Sequence, residues 1–279
     1  MKYEIKDDRI VVYGREDFSA QHILECGQVF RYRKDADGNY IVYSCEKSAK
    51  IVENGNNIEI ISKTPQYFAD YFDMGRDYSV IKNELKKDGV LAKVLPFGSG
   101  IRILRQDIFE VIVSFVISAN NNIKRIQKII EQLCVVAGKN MGNYHAFPTR
   151  KDFAKLNEAV FYSLGAGYRA GYLFKLSRQL ENVDFEAISK MDTNELRNWL
   201  IKLSGVGPKV ADCILLFGFN RGDVFPVDTW SEKVYRKFYD CGAKTRPQMA
   251  KDLVERFGCN AGFAQQYLFY GARSYDILR

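Results

Sequence analysis

The sequence predicts an α+β protein, with an N-terminal antiparallel β-sheet domain followed by a mostly helical body. Two observations carry this. Short runs rich in β-branched and aromatic residues are confined to the first third of the chain, with glycine turns between them. From about Pro65 the apolar spacing becomes helical, and no later segment reads as strand.

Taken in order, Ile10–Tyr13, Val29–Tyr32, Tyr40–Tyr43 and Ile58–Ile61 are the candidate strands. Asp37-Gly38 and Asn54-Gly55 lie between runs and suit hairpin turns, because both dipeptides tolerate positive φ. Asp107 and Glu110 have capping-box spacing ahead of a nearly all-apolar run to Ile117, which predicts a helix buried on most sides. Ile126, Ile129, Ile130, Leu133, Cys134 and Ala137 form one helical stripe, stopped by Gly138. Leu196, Trp199, Leu200 and Leu203 form another, with Asp192 and Glu195 at cap spacing. Pro208 suits the first turn of a new helix whose inward face carries Ala211, Ile214 and Leu215.

The totals narrow the function. The chain has 279 residues, 47% of them apolar, and a net charge of +7, which allows a polyanionic partner without requiring one. Its six cysteines form no C-x-x-C pair, and there are only two histidines, so zinc and iron–sulfur sites are not expected. Six free thiols in a reducing compartment are expected instead. The start of the chain has no apolar signal core, and the longest apolar stretch is far too short to span a bilayer. These features predict a cytoplasmic protein with no membrane partner.

The most informative segment is Leu203-Ser-Gly-Val-Gly-Pro-Lys209. Gly205 and Gly207 allow a tight helix-to-helix turn and leave backbone N–H groups at a helix N-terminus, where they can hold a phosphate without reading sequence. Val206 is expected to plug the turn into the core. An ordinary corner between helices would use the same glycines. Lys209 at the start of the second helix, and Pro226-Val227-Asp228 beyond it, set this turn apart.

With those neighbours the segment resembles the signature of the helix-hairpin-helix DNA glycosylases, and more specifically the eukaryotic-type 8-oxoguanine DNA glycosylase/AP lyases, bacterial members included. Ile103–Asp107, Ser118–Ile123, Leu164–Ala170 and Cys26-Gly-Gln-Val-Phe-Arg31 have counterparts in the same order. The resemblance implies a β-sheet domain over 1–99 and a two-lobed helical body. One lobe is 100–119 with 206–279; the other is 120–205, leading into a hairpin at about 194–219. It implies excision of 8-oxoguanine, preferably opposite cytosine, from double-stranded DNA by a monomer that needs no cofactor. A cation at the backbone of Ile201, Leu203 and Val206 would be structural and not catalytic.

The chemistry fits the side chains. Cleaving an N-glycosidic bond builds positive charge on the sugar, which a carboxylate such as Asp228 stabilises. A neutral Lys209 amine can attack the anomeric carbon and leave a Schiff base. Asp228 is also a good N-cap, and the two roles are compatible; Lys209 could instead be a solvated helix residue or a phosphate contact. By the resemblance, Gly27 offers its carbonyl to the N7 proton of 8-oxoguanine, Cys213 and Phe269 sandwich the base, and Gln265 bonds its Watson–Crick edge. Without it, Cys213 and Phe269 read as core. Asn120, Arg125, Tyr168 and Arg169 correspond to the opposite-base and wedge residues; Asn120 could simply be a cap, and either arginine a phosphate contact. Trp230 or a neighbour stands where the family's eukaryotic enzymes carry a phosphate-binding histidine. A related glycosylase for another damaged base and a non-catalytic DNA-binding module are the competing readings.

Overall fold

The computed structural model describes residues 1–275; the last four residues of the helical lobe expected over 206–279 lie outside them. Six strands form one antiparallel sheet: β1 Lys2–Ile5, β2 Arg9–Tyr13, β3 Tyr32–Lys34, β4 Tyr40–Ser44, β5 Lys47–Asn54 and β6 Asn57–Ile61, in the order β1-β2-β6-β5-β4-β3. Alternation sets the faces. Ile10, Val12, Val42, Ala49, Ile51, Ile58 and Ile60 point inward and are buried with Phe68, Tyr71 and Phe72. The turn between Asn54 and Asn57 closes on Gly55 at φ +59°, and Gly38 at φ +82° serves the β3–β4 hairpin.

Three details depart from the sequence reading. Val29–Arg31 is not strand: these residues are buried in an irregular segment, and β3 begins only at Tyr32. β5, the longest strand, is hidden in the sequence by its lysines, because only Ala49 and Ile51 are apolar among its inward residues. β1 is an exposed edge strand with little apolar signal.

The helices follow. α1 Ala20–Leu24 interrupts the sheet, and α2 Pro65–Tyr71 covers its inner face. The body comprises α3 Tyr78–Leu85, α4 Gly89–Val94, α5 Ile108–Ser118, α6 Ile123–Ala137, α7 Arg150–Ala154, α8 Glu158–Ser163, α9 Arg169–Leu180, α10 Phe185–Ile188, α11 Thr193–Ile201, α12 Pro208–Phe217, α13 Thr229–Phe238, α14 Arg246–Phe257 and α15 Ala261–Ser274. The capping box read from sequence on α11 forms as expected, with Asp192 and Glu195, and α6 stops at Gly138 as expected; its N-cap is Asn122, which the sequence did not single out.

α5 is the spine. It is buried on nearly every side and packs against α6, α9 and α12. Its cap is half of a capping box. Asp107 Oδ1 accepts from Glu110 N–H at 2.9 Å, but the Glu110 carboxylate turns away to accept from Cys45 N–H at 2.9 Å and to face Arg31 at 3.5 Å. Arg31 is 1% exposed and donates to the His145 carbonyl. This buried pair ties the sheet to the helical body. Burial pushes the Glu110 carboxyl above its usual range, against the pull of Arg31.

Candidate active site

The hairpin is α11–turn–α12. Gly205 sits at φ +82°, and a Cβ there would meet Val116 Cγ1 at 2.9 Å and Tyr172 Cβ at 3.1 Å, so conformation and space both demand glycine. Val206 is buried, and its N–H closes the turn on the Leu203 carbonyl at 3.1 Å. The N–H groups of Gly205 and Gly207 make no hydrogen bond among the described residues. Gly207 is exposed at the N-cap of α12, followed by Pro208 in its first turn.

That start places Lys209 in a small cavity of about 40 Å³ lined by Cys26, Gly27, Phe115, Lys209, Cys213, Phe217, Pro226, Asp228, Gln265, Gln266 and Phe269. The residues come from the loop after α1, from α5, α12 and α15, and from the approach to α13. Every expected catalytic and base-recognition residue lines this one space. The Lys209 ammonium stands 5.7 Å from the centroid of Phe115.

Protein surrounds the ammonium although the lysine keeps some contact with solvent. Burial pushes its pKa down, while Cys213 and Asp228 push it up, and the net direction is up. The resting amine is therefore protonated at neutral pH. Burial pushes the Cys213 thiol up to about 11, so near neutrality it is a neutral neighbour. Asp228 is the carboxyl group that shares the cavity with the lysine.

Asp228 is fixed by its cap: Oδ1 accepts from Ser231 N–H at 2.8 Å and starts α13. Ser231 Oγ accepts from Gln265 Nε2 at 3.4 Å, and Gln265 Oε1 accepts from Gln266 Nε2 at 2.7 Å. Sequence reasoning missed Ser231 and Gln266, since neither carries a local signal. In Thr229-Trp230-Ser231 the serine turns inward, while Trp230 is exposed beneath Lys233, 5.0 Å from its ring centroid.

Gly27 lies at φ +83°, and a Cβ there would stand 3.3 Å from Phe269 Cε1. Gln28, fully buried, holds this loop: its Nε2 donates to the carbonyls of Ile23 and Arg102, and its Oε1 accepts from Leu104 N–H. Arg273 stacks on Phe269 at 5.2 Å and donates to the Glu25 carbonyl. At about 40 Å³ the cavity is smaller than the roughly 150 Å³ that admits a benzene ring.

Asn120, Arg125, Tyr168 and Arg169 gather in a second patch where α5 ends and α9 begins. Asn120 is exposed at φ +51° and is not the cap of α6, a role that Asn122 fills. The Tyr168 hydroxyl donates to the Ala119 carbonyl at 3.3 Å and its ring is exposed. Arg125 is exposed and donates to the Gly165 carbonyl. Arg169 differs: it is 3% exposed, and its guanidinium donates to the carbonyls of Ala119, Asn120 and Ala166. In this conformation it holds the turn that presents Asn120.

The hairpin, the lysine–aspartate cavity and the adjoining sheet together define the class of helix-hairpin-helix base-excision proteins. Residues 10–112 match the family model of the 8-oxoguanine DNA glycosylase N-terminal domain, and residues 113–259 match that of the HhH-GPD superfamily of base excision DNA repair proteins. The chain belongs to the HhH-GPD superfamily, in the branch that carries the 8-oxoguanine DNA glycosylase N-terminal domain. It is 31% identical to a probable N-glycosylase/DNA lyase of Methanothermobacter thermautotrophicus over 79% of either chain. It is 35% identical to the N-glycosylase/DNA lyase of Saccharomyces cerevisiae over 57% of this chain, spanning 46% of the yeast protein. The structure of Clostridium acetobutylicum 8-oxoguanine glycosylase/lyase, in complex with double-stranded DNA containing cytosine opposite 8-oxoG, superposes with TM-score 0.93 and 40% identity over 99% of both chains. A 3-methyladenine DNA glycosylase from Archaeoglobus fulgidus, at 14% identity and TM-score 0.75, shares the fold.

Proposed function

We propose that this protein excises 8-oxoguanine, preferably opposite cytosine, from double-stranded DNA and then nicks the strand. The observation that carries the proposal is the single cavity that joins Lys209, Asp228, Cys213, Gln265, Phe269 and Gly27 from distant parts of the chain. The likeness to the Clostridium enzyme over nearly the whole chain supports the substrate.

In this reading the sheet domain, 1–99, supplies Gly27. The lobe of 100–119 and 206–279 supplies the chemistry, and 120–205 supplies the opposite-base patch. The N–H groups of Gly205 and Gly207 face the DNA backbone, and Val206, whose N–H is held by the Leu203 carbonyl, fixes the turn that presents them. A cation on the carbonyls of Ile201, Leu203 and Val206 would link the turn to a phosphate; the Leu203 carbonyl already accepts from Val206 N–H but keeps a second lone pair.

Lys209 must lose its proton before it attacks. Its amine then forms a bond to C1′ as the bond from C1′ to the base breaks, and the base leaves with the bonding pair. Asp228 stabilises the positive charge that builds on the sugar. Ring opening gives the Schiff base, and loss of a C2′ proton expels the 3′-phosphate. Gly27 discriminates because undamaged guanine has no proton at N7 to donate. Tyr168 wedges into the gap, and Asn120, Arg125 and Arg169 meet the estranged cytosine. The six free thiols suit the reducing cytoplasm in which we place the enzyme, and among the described residues no helix is long and apolar enough to cross a membrane.

Borohydride trapping on a duplex with one 8-oxoguanine opposite cytosine tests this. A covalent protein–DNA band is expected from the wild type and not from Lys209→Gln. Release of free base with no trapped band would remove Lys209 as nucleophile. Absence of both would remove the substrate.

A further inference from the structure

Gln266 sits beside Gln265 on α15, is 3% exposed, and lines the cavity. Its Oε1 is buried and accepts no hydrogen bond. A buried acceptor without a donor is costly in the empty protein, and such groups are rare enough to need a reason. The chain of bonds explains how it is left over. Ser231 N–H is committed to Asp228, Ser231 Oγ takes Gln265 Nε2, and Gln265 Oε1 takes Gln266 Nε2. Gln266 Oε1 is the end of that chain. Gln265 Oε1 keeps a second lone pair. Two neighbouring glutamines that line the cavity therefore each keep carboxamide-oxygen acceptor capacity.

We propose that Gln266 is a second base-reading side chain, whose Oε1 accepts from the exocyclic 2-amino group of the extruded base. This rests on the glycosylase reading above and deepens it. A guanine-type edge presents two adjacent donors, N1–H and the 2-amine, which match the two oxygens: N1–H goes to Gln265 and the amine to Gln266. An adenine-type edge sets its bare N1 against an acceptor and is rejected. The base supplies the donor that the protein does not offer to Gln266 Oε1.

The test compares 8-oxoguanine with 8-oxohypoxanthine, which lacks only the 2-amine, each opposite cytosine in single-turnover excision. The wild type is expected to favour 8-oxoguanine by about tenfold, the effect of one buried hydrogen bond. Gln266→Leu is expected to bring the ratio near one: it also frees Gln265 Oε1, which slows both bases alike, but only 8-oxoguanine loses the bond to its 2-amine. Strand cleavage at a preformed abasic site, which needs no base, is measured in the same variant to normalise for any effect on the Lys209 chemistry, and the ratio between the two bases is the readout. Should Gln266→Leu not fold, Gln266→Met, closer in shape, is read the same way. A ratio preserved in the variant, or absent in the wild type, overturns the assignment. If the wild type releases neither base, the substrate reading falls, and this inference with it.

Discussion

Gly27→Ala adds one methyl group at the point where the sheet domain meets the base cavity. The backbone there is left-handed, at φ +83°, which costs an L-residue roughly 1–2 kcal/mol. The new Cβ would lie 3.3 Å from Phe269 Cε1 and 3.6 Å from Arg273 Nη1, so the Phe269 ring must give by a few tenths of an ångström. The loop itself cannot relax freely, because Gln28 pins it to Ile23, Arg102 and Leu104. For a chain of this size the loss lowers Tm by roughly 2–8 °C. On the proposed roles the function suffers more, because a Cβ at Gly27 crowds Phe269, assigned to stack on the base, and shifts the carbonyl assigned to its N7 proton. Excision of 8-oxoguanine is expected to fall between about 10- and 100-fold. Cleavage at a preformed abasic site, which uses Lys209 without a base, is expected to stay within about twofold. Excision at the wild-type rate would refute the placement of Gly27 at the base. An equal fall in abasic-site cleavage would show that the substitution acts through general unfolding.

Three further outcomes follow from the geometry. Asp228→Asn keeps a good N-cap and is expected to hold Tm while slowing excision about 100-fold, whereas Asp228→Ala also loses about 1 kcal/mol of stability in urea unfolding; equal rates for the asparagine variant and the wild type would remove the carboxylate from the chemistry. Arg169→Ala is expected to lose roughly 2–4 kcal/mol, because its bonds to three carbonyls vanish; unchanged stability with a lost preference for cytosine would make it a base reader alone. Because the Lys209 pKa lies above its ordinary 10.5, trapping at an abasic site is expected to quicken about tenfold per pH unit between pH 6 and 9. A trapping rate flat in pH would mean that DNA binding itself strips the proton.

What the sequence determined by itself is local. Asp192 with Glu195, Pro208 after Gly207, and Asp228 before Thr229 mark helix starts because a cap is settled within three or four residues of backbone. The hairpin was legible for the same reason, and the order of its flanking motifs named the family. β5 was not legible, because lysines stand among its few apolar residues and its pairing with β4 and β6 supplies what its composition lacks. The Asp107–Glu110 spacing predicts a reciprocal cap, yet Glu110 is drawn to Arg31 and Cys45, partners 79 and 65 positions away in sequence. Tertiary structure alone decided that Arg169 is buried, that Ser231 rather than Trp230 faces Gln265, that Gln266 ends a chain of bonds without a donor, and that Phe269 rests on Gly27. Each depends on which side chains from remote segments compete for one buried donor, acceptor or space, and that competition exists only once the chain has packed.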